Sequence, residues 1–457
     1  MAALSERKIE IVRSLVEAAP DKIVGGLQQA LSDTSGDTAL ASVKRLVEAE
    51  VSDRNFRNSA LLPIVPMCVG DTGGRHILTF PARALALIWR GLKADFPEAI
   101  AAAKAEFLET RPGHHSTQPY DNLAVLAAGE LRSRERADFR AAAELCDAGR
   151  PGGADALAAC LDIARVVRAA VLRLPDWLAR NGEDTAASAR LAYKDAVAVS
   201  EDAGPCFFEM LAAHMAHPWM VLRVISSVMD KPTERYLADS EMAGFGERVM
   251  DDVDEALKSI AKMDLDGGPA TARAAGKLVE LITLQLTEVE TCVDLSRDHG
   301  WGHRVAKQRA SLASVVEGRL RDAEKLTIEA LPTQAPRLRR IRRSIPKLDL
   351  APLPRSVTRA TTLLTFAEEV RYSANYGGFS AMRAKVLEKL AEYIDHYVEE
   401  VLDLLKTGEA ESEENARAFL QIAADFNQLV QGEKAADLVR RRTVAAAYPD
   451  HPMAAEA

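Results

Sequence analysis

The chain is poor in aromatic residues, which fill 5% of its 457 positions. Its five cysteines (Cys68, Cys146, Cys160, Cys206 and Cys292) are scattered, and none forms a CxxC pair. With few aromatics, alanine and aliphatic side chains must build the core, and stretches such as AIAAAKAEF and FRAAAELC recur. Alanine loses no side-chain entropy in a helix and lets helices approach closely. Both facts favour helix over sheet. An odd, dispersed cysteine set argues against a disulfide framework and for reduced, mostly buried thiols.

Long clean hydrophobic runs are missing as well. The most apolar window, Cys206 to Met229, is interrupted by Glu209, His214, His217, Pro218 and Arg223, which are poor company for lipid. A buried helical hairpin broken at Pro218 is expected there. The N-terminal stretch MAALSERKIEIVRSL is amphipathic and charged from Glu6 onward, unlike the apolar core of a secretory signal. The expected location is therefore cytoplasmic, with peripheral association to the inner membrane open to the basic segment described below.

Motifs for common chemistries are also absent. There is no GxxxxGK followed by Ser or Thr, no GxGxxG after a strand, no GxSxG and no HExxH. These gaps count against nucleotide hydrolysis, dinucleotide use, serine hydrolysis and zinc proteolysis. No cofactor is called for.

What is present is helical periodicity almost throughout. In ERKIEIVRSLVEAA, Ile9, Ile11, Val12, Leu15 and Val16 form one stripe behind Ser5 as N-cap. Further helices are predicted at about 21–31, 37–51, 81–110 with a bend near Pro97, 121–146, 154–174, 176–181, 185–201, 206–216, 218–229 and 232–263. The stretch 269–331 reads as helix with a break at Gly300-Trp301-Gly302. In the C-terminal part the predicted helices are 357–373, 379–406, 411–431 and 433–447, and Met382, Val386, Leu390, Tyr393, Ile394, Tyr397, Val401 and Leu404 step along one face of the longest. The one strand signal is Ile64–Val69 and His76–Phe80 around a Gly-rich turn, which reads as a β-hairpin with Pro63 and Pro66 demoting its first arm.

The expected fold is all-α, with multi-helix bundles and one short β-hairpin near residues 64–80. The expected organisation is an N-terminal helical subdomain (1–149), a central long-helix bundle (150–331), a basic Pro-rich connector (332–356), a C-terminal helical bundle (357–449) and a frayed tail (450–457).

The sharpest departure from a generic helical protein is charge. Pro332 to Arg359 carries Arg337, Arg339, Arg340, Arg342, Arg343, Lys347, Arg355 and Arg359 against the single acid Asp349. That local net of +7 leaves −16 for the rest of a chain whose formal net is −9. Clustered arginines are costly to bury, so they solvate a linker or meet an anionic partner. Leu338, Ile341 and Ile345 would add an apolar stripe if 336–345 became helical. No aromatic residue interleaves with them, so base stacking has no support, and nucleic acid ranks behind a membrane surface or an acidic protein.

Three other constellations invite chemistry. Asp251-Asp252-Val253-Asp254-Glu255 has a DDxxE spacing that could let Asp251, Asp252 and Glu255 share Mg²⁺, as in all-helical isoprenoid synthases, although a solvated acidic face explains it more simply. Cys292, His299 and His303 would align on one helix face as zinc ligands if the helix were unbroken. Trp301 anchoring a helix break is the plainer reading. Cys206, His214 and His217 read as satisfied core polar groups, and His114-His115 as a loop pair without a companion nucleophile.

The leading expectation is a non-enzymatic interaction or scaffold protein. Its helix faces would bind protein partners, and its basic residues Arg337, Arg339, Arg340, Arg342, Arg343 and Lys347 would dock on an anionic membrane or acidic protein surface. The alternative is a metal-dependent all-α enzyme acting on a diphosphate substrate through Asp251, Asp252 and Glu255. A nucleic-acid-binding regulator is third.

Overall fold

The computed structural model describes residues 6–32, 38–69, 78–109, 116–179, 183–200, 203–334 and 345–447. Among these residues are 21 α-helices and two pairs of two-residue strands. The fold is all-α, as the alanine-rich, aromatic-poor composition implies. The chain divides into two compact units, Met1–Phe245 and Gly246–Ala457.

The first unit is built from mostly short helices. They are α1 (Glu6–Ala18), α2 (Asp21–Ser32), α3 (Thr38–Ala60), α4 (Ala82–Asp95), α5 (Pro97–Leu108), α6 (Gln118–Ser133), α7 (Ala137–Gly149), α8 (Gly153–Asp162), α9 (Ala164–Val171), α10 (Leu174–Ala179), α11 (Glu183–Val197), α12 (Ala203–Ala213), α13 (Val221–Met229) and α14 (Glu234–Ala238). Val16, Val24 and Val47 bind α1, α2 and α3 into a thin local core. Around α4, α6, α7 and α8 the buried positions are largely alanine (Ala84, Ala124, Ala127, Ala142, Ala158), so the helix axes pack closely about Leu123, Phe139 and Leu157. The apolar window does fold as two helices, α12 and α13, joined by a one-turn 3₁₀ helix at Pro218–Met220. Among the described residues no helix is long and apolar enough to cross a membrane.

The expected β-hairpin needs correction. Strand β1 (Cys68–Val69) pairs with β2 (Phe80–Pro81) in parallel, with Cys68 opposite Phe80, so this is not a hairpin. The Gly-rich turn at 70–74 lies outside the described residues. Pro66 draws Val65–Met67 into a 3₁₀ turn, which removes those residues from any ladder. Ile64, Met67 and Phe80 are buried, so the segment serves the helical core.

The second unit has fewer, longer helices: α15 (Ala243–Ala261, begun in the first unit), α16 (Gly268–Cys292), α17 (Gly300–Ala330), α18 (Pro354–Glu369), α19 (Ser380–Thr407), α20 (Glu413–Val430) and α21 (Glu433–Ala447). Helix α18 packs on α16 and α17, while α19, α20 and α21 pack on one another. The predicted α19 stripe is the buried one: Val386, Leu390, Ile394, Tyr397 and Val401 all face the core. Between α17 and α18, β3 (Thr333–Gln334) and β4 (Ile345–Pro346) pair antiparallel. Residues 332–334 and 345–356 thus lie within this unit.

Candidate functional site

The basic segment starts where α17 stops. The Leu331 amide still donates to Thr327 O at 3.0 Å, and Pro332, lacking an amide hydrogen, ends the helix. Thr333 then lies opposite Pro346, and Gln334 opposite Ile345. The Lys347 amide donates to Pro332 O at 2.9 Å and extends the ladder by one bond. Two side chains tie this stem to the bundle. Tyr393 Oη on α19 donates to Leu331 O at 2.5 Å, and Asn415 Nδ2 on α20 donates to Leu348 O at 2.9 Å. Leu331 and Leu348 are buried beside them.

Arg337, Arg339, Arg340, Arg342 and Arg343, which lie between the two strands, fall outside the described residues. The ten residues of sequence between the paired strands, APRLRRIRRS, carry five arginines and no acid. Lys347 is half-buried on the returning arm. Beyond it Leu350 is 64% exposed and Leu353 68% exposed. These two leucines were no part of the sequence reading. Their signal was available as apolar residues among prolines, a context where no helix buries them.

The flanking cations behave differently. Arg355 donates twice to Asp266, at 2.8 and 3.1 Å, and Arg359 lies 3.9 Å from the same carboxylate. The Arg355 hydrogen bond holds the Asp266 carboxyl below the usual range. Arg355 and Arg359 thus meet an acid of their own chain.

The DDxxE stretch sits on α15 and meets α17. Arg304 Nη2 lies 2.6 Å from both Asp251 and Asp254, and its Nη1 is 3.4 Å from Glu247. Gln308 Nε2 donates to Asp254 at 2.8 Å and to Met250 O at 2.7 Å. Trp301 Nε1 donates to Glu247 at 2.9 Å. Trp301, Arg304 and Gln308 step at three and four residues along α17, as Glu247, Asp251 and Asp254 do along α15. The acidic face is therefore one half of a helix-to-helix polar seam. Asp252 is half-buried and Glu255 exposed on the same helix, and among the described residues no cluster of three or more metal-binding side chains occurs.

Cys292, His299 and His303 do not share a helix. Cys292 ends α16 and its Sγ donates to the buried Glu288 at 3.1 Å, while His299 is the extended N-cap of α17. Trp301 anchors the new helix start, and a Cβ at Gly302 would fall 1.7 Å from Ser296 O, so only glycine fits there. Cys206 lies in α12, His214 Nε2 meets Pro63 O at 3.3 Å, and His217 stacks on Trp219. Burial pushes the His214 pKa down, as for a neutral core histidine. His114 and His115 lie outside the described residues.

Sequence reasoning missed the buried arginines altogether. Arg168 on α9 donates to Ser59 O at 3.0 Å and Ala60 O at 2.6 Å and pairs with Asp121 at 3.1 Å. Arg54 on α3 donates to Val16 O, Glu17 O and Ala19 O. Nothing local in the sequence marks Arg168, because its partners are far away in the chain, and Arg54 shows locally only an i,i+4 pair with Glu50.

Comparison with protein-family models, with curated proteins and with solved structures found no match for this chain.

Proposed function

We propose that this chain is a non-enzymatic interaction and scaffold protein whose helix faces bind protein partners and whose basic segment docks on an anionic membrane surface. One observation carries the reading: a five-arginine, acid-free stretch of sequence lies between the two paired strands of an anchored stem, with Leu350 and Leu353 exposed beyond its returning arm. Five arginines within seven positions of sequence supply charge attraction, and the exposed leucines that follow suit the headgroup boundary, where apolar burial adds to it. That combination favours lipid over an acidic protein surface.

Each arginine near anionic lipid contributes about 1 kcal/mol. Five supply about 5 kcal/mol before repulsion from the acidic remainder of the chain. Replacing Arg337, Arg339, Arg340, Arg342 and Arg343 together by Gln should weaken sedimentation with vesicles containing about one third phosphatidylserine, by up to roughly a thousandfold. Binding of the unaltered protein should also fade between about 50 and 200 mM salt. Equal sedimentation of both proteins would sink the membrane reading. Loss of protein partners from the five-Gln variant, with no lipid binding by either protein, would assign the segment to an acidic protein instead.

A further inference from the structure

A cleft of about 860 Å³ lies among α6, α9 and α11. Each helix contributes one stripe at helical spacing: Asn122 and Val125 from α6, Val166 and Ala169 from α9, Ser188, Leu191 and Asp195 from α11. Val125 is 58% exposed, Leu191 61% and, just past α11, Val199 52%. These three side chains give the cleft an exposed apolar lining. Small residues between them (Ala169, Ala192, Ala198) would let a backbone come close.

The charges sort the occupant. Two of the acids that line the cleft are already engaged: Asp121 by Arg168, and Asp162 by Arg132. Arg165 and Arg173, both exposed, form no ion pair among the described residues, and Arg173 donates only to Ser188 Oγ at 2.9 Å. Asp195 on α11 is the one lining acid with no partner among the described residues. The α9 edge of the cleft is thus cationic, in a chain whose formal net is −9. Arg165 lies on α9, and Arg173 in the turn that follows it.

We propose that this cleft is a docking groove for an amphipathic helix that carries two carboxylates on one flank of its apolar stripe. The stripe would cover Val125, Leu191 and Val199, the carboxylates would meet Arg165 and Arg173, and a cation on the opposite flank would meet Asp195. A helix laid in a groove is read through anchors at three- and four-residue spacing, and the three lining stripes present that spacing. The inference deepens the interaction-protein reading, names the chemistry of one partner, and does not depend on the basic segment.

The probe is a labelled helical peptide of about 18 residues with a leucine stripe and two Glu about seven residues apart on one flank, compared with its twin bearing Lys at those positions. Both are titrated by fluorescence anisotropy against full-length protein carrying the five Arg-to-Gln changes, so the basic segment cannot attract the acids. The Glu peptide should bind at least tenfold tighter than the Lys peptide. Arg165→Glu with Arg173→Glu should reverse that preference, and Leu191→Asp should weaken both peptides at least tenfold. All three positions are exposed, and melting curves check that the variants fold. No binding by either peptide, no preference for Glu on the unreversed protein, or indifference to Leu191→Asp would each overturn the groove. Vesicle sedimentation is read separately, so failure here leaves the membrane result standing.

Discussion

The two units end their helices by different means. Among the described residues, five of the six glycines with left-handed backbone lie in the second unit, while all three non-glycine residues with that backbone, Arg134, Asp230 and Lys231, lie in the first. In the second unit Gly408 and Gly432 close α19 and α20 locally, their amides returning to carbonyls of the last turn. In the first unit the last carbonyls of α1 and α3 are met by Arg54 and Arg168 from other helices. Short helices bring more termini into a given volume, and each terminus leaves up to four unpaired carbonyls. A unit of short helices must bury some of them, and a multidentate guanidinium satisfies several at once. A unit of long helices can carry its ends to the surface and finish them with glycine.

The largest test of this contrast is Arg168→Met. Both partners of the Arg168–Asp121 pair are about one-tenth exposed, and removing one partner of a buried pair costs about 3–5 kcal/mol. The Ser59 and Ala60 carbonyls lose their donors in the same stroke. Urea denaturation followed by hydrogen-exchange mass spectrometry should show that loss in the first unit. A drop under about 1 kcal/mol would mean that water replaces the guanidinium and that the buried cap is incidental.

The same contrast decides what was legible in the sequence. In the second unit the predicted helices 379–406, 411–431 and 433–447 correspond to α19, α20 and α21 within one or two residues, because glycine breaks and apolar periodicity are local signals. In the first, one helix predicted over 121–146 is two, α6 and α7, broken at Arg134 with φ 55°. Arginine is no breaker by propensity, so the break is imposed by packing. The buried pair that links 121 to 168 is equally hidden. For the candidate site, the charge of the basic segment was plain, since composition shows it, but the β3–β4 stem was not. Two-residue strands carry no periodicity, and the bonds from Tyr393 and Asn415 span about sixty residues or more.

Alkaline titration should separate the units next. Burial pushes the Cys68 thiol up to about 12 and the Cys146 thiol up to about 11, and Cys160 is raised by its hydrogen bond with Cys206 and by burial. All of these lie in the first unit, while the second holds only Cys292. A raised folded pKa keeps the thiol protonated in the fold while the unfolded chain ionises near 8.5, so the contribution is complete below that pH and lost above it. Each such thiol should cost the first unit up to about 1.4 kcal/mol per pH unit above roughly 8.5. In the second unit burial raises Tyr393 and Tyr397, whose unfolded pKa is near 10, so its loss should begin later. Protection factors measured in reducing buffer from about pH 8 to pH 10 should fall first in the first unit. Simultaneous decline would show that the buried thiols do not govern it.

The smallest effect is a pair of opposite signs on one helix. Tyr397 is 2% exposed and its hydroxyl has no hydrogen-bond partner among the described residues. Tyr393, one turn earlier, spends its hydroxyl on Leu331 O, at the root of the basic stem. Removing an unpaired buried hydroxyl relieves a desolvation penalty, whereas removing a paired one strands its carbonyl. Tyr397→Phe should therefore stabilise the second unit by about 1 kcal/mol, and Tyr393→Phe should destabilise it by about as much. If long helices tolerate an unpaired interior group because their ends are satisfied elsewhere, only the Tyr393 change should also raise exchange at Thr333 and Lys347. Raised exchange at the stem in both variants would mean that the two tyrosines act as one packed unit and that the anchor is the ring rather than the hydroxyl.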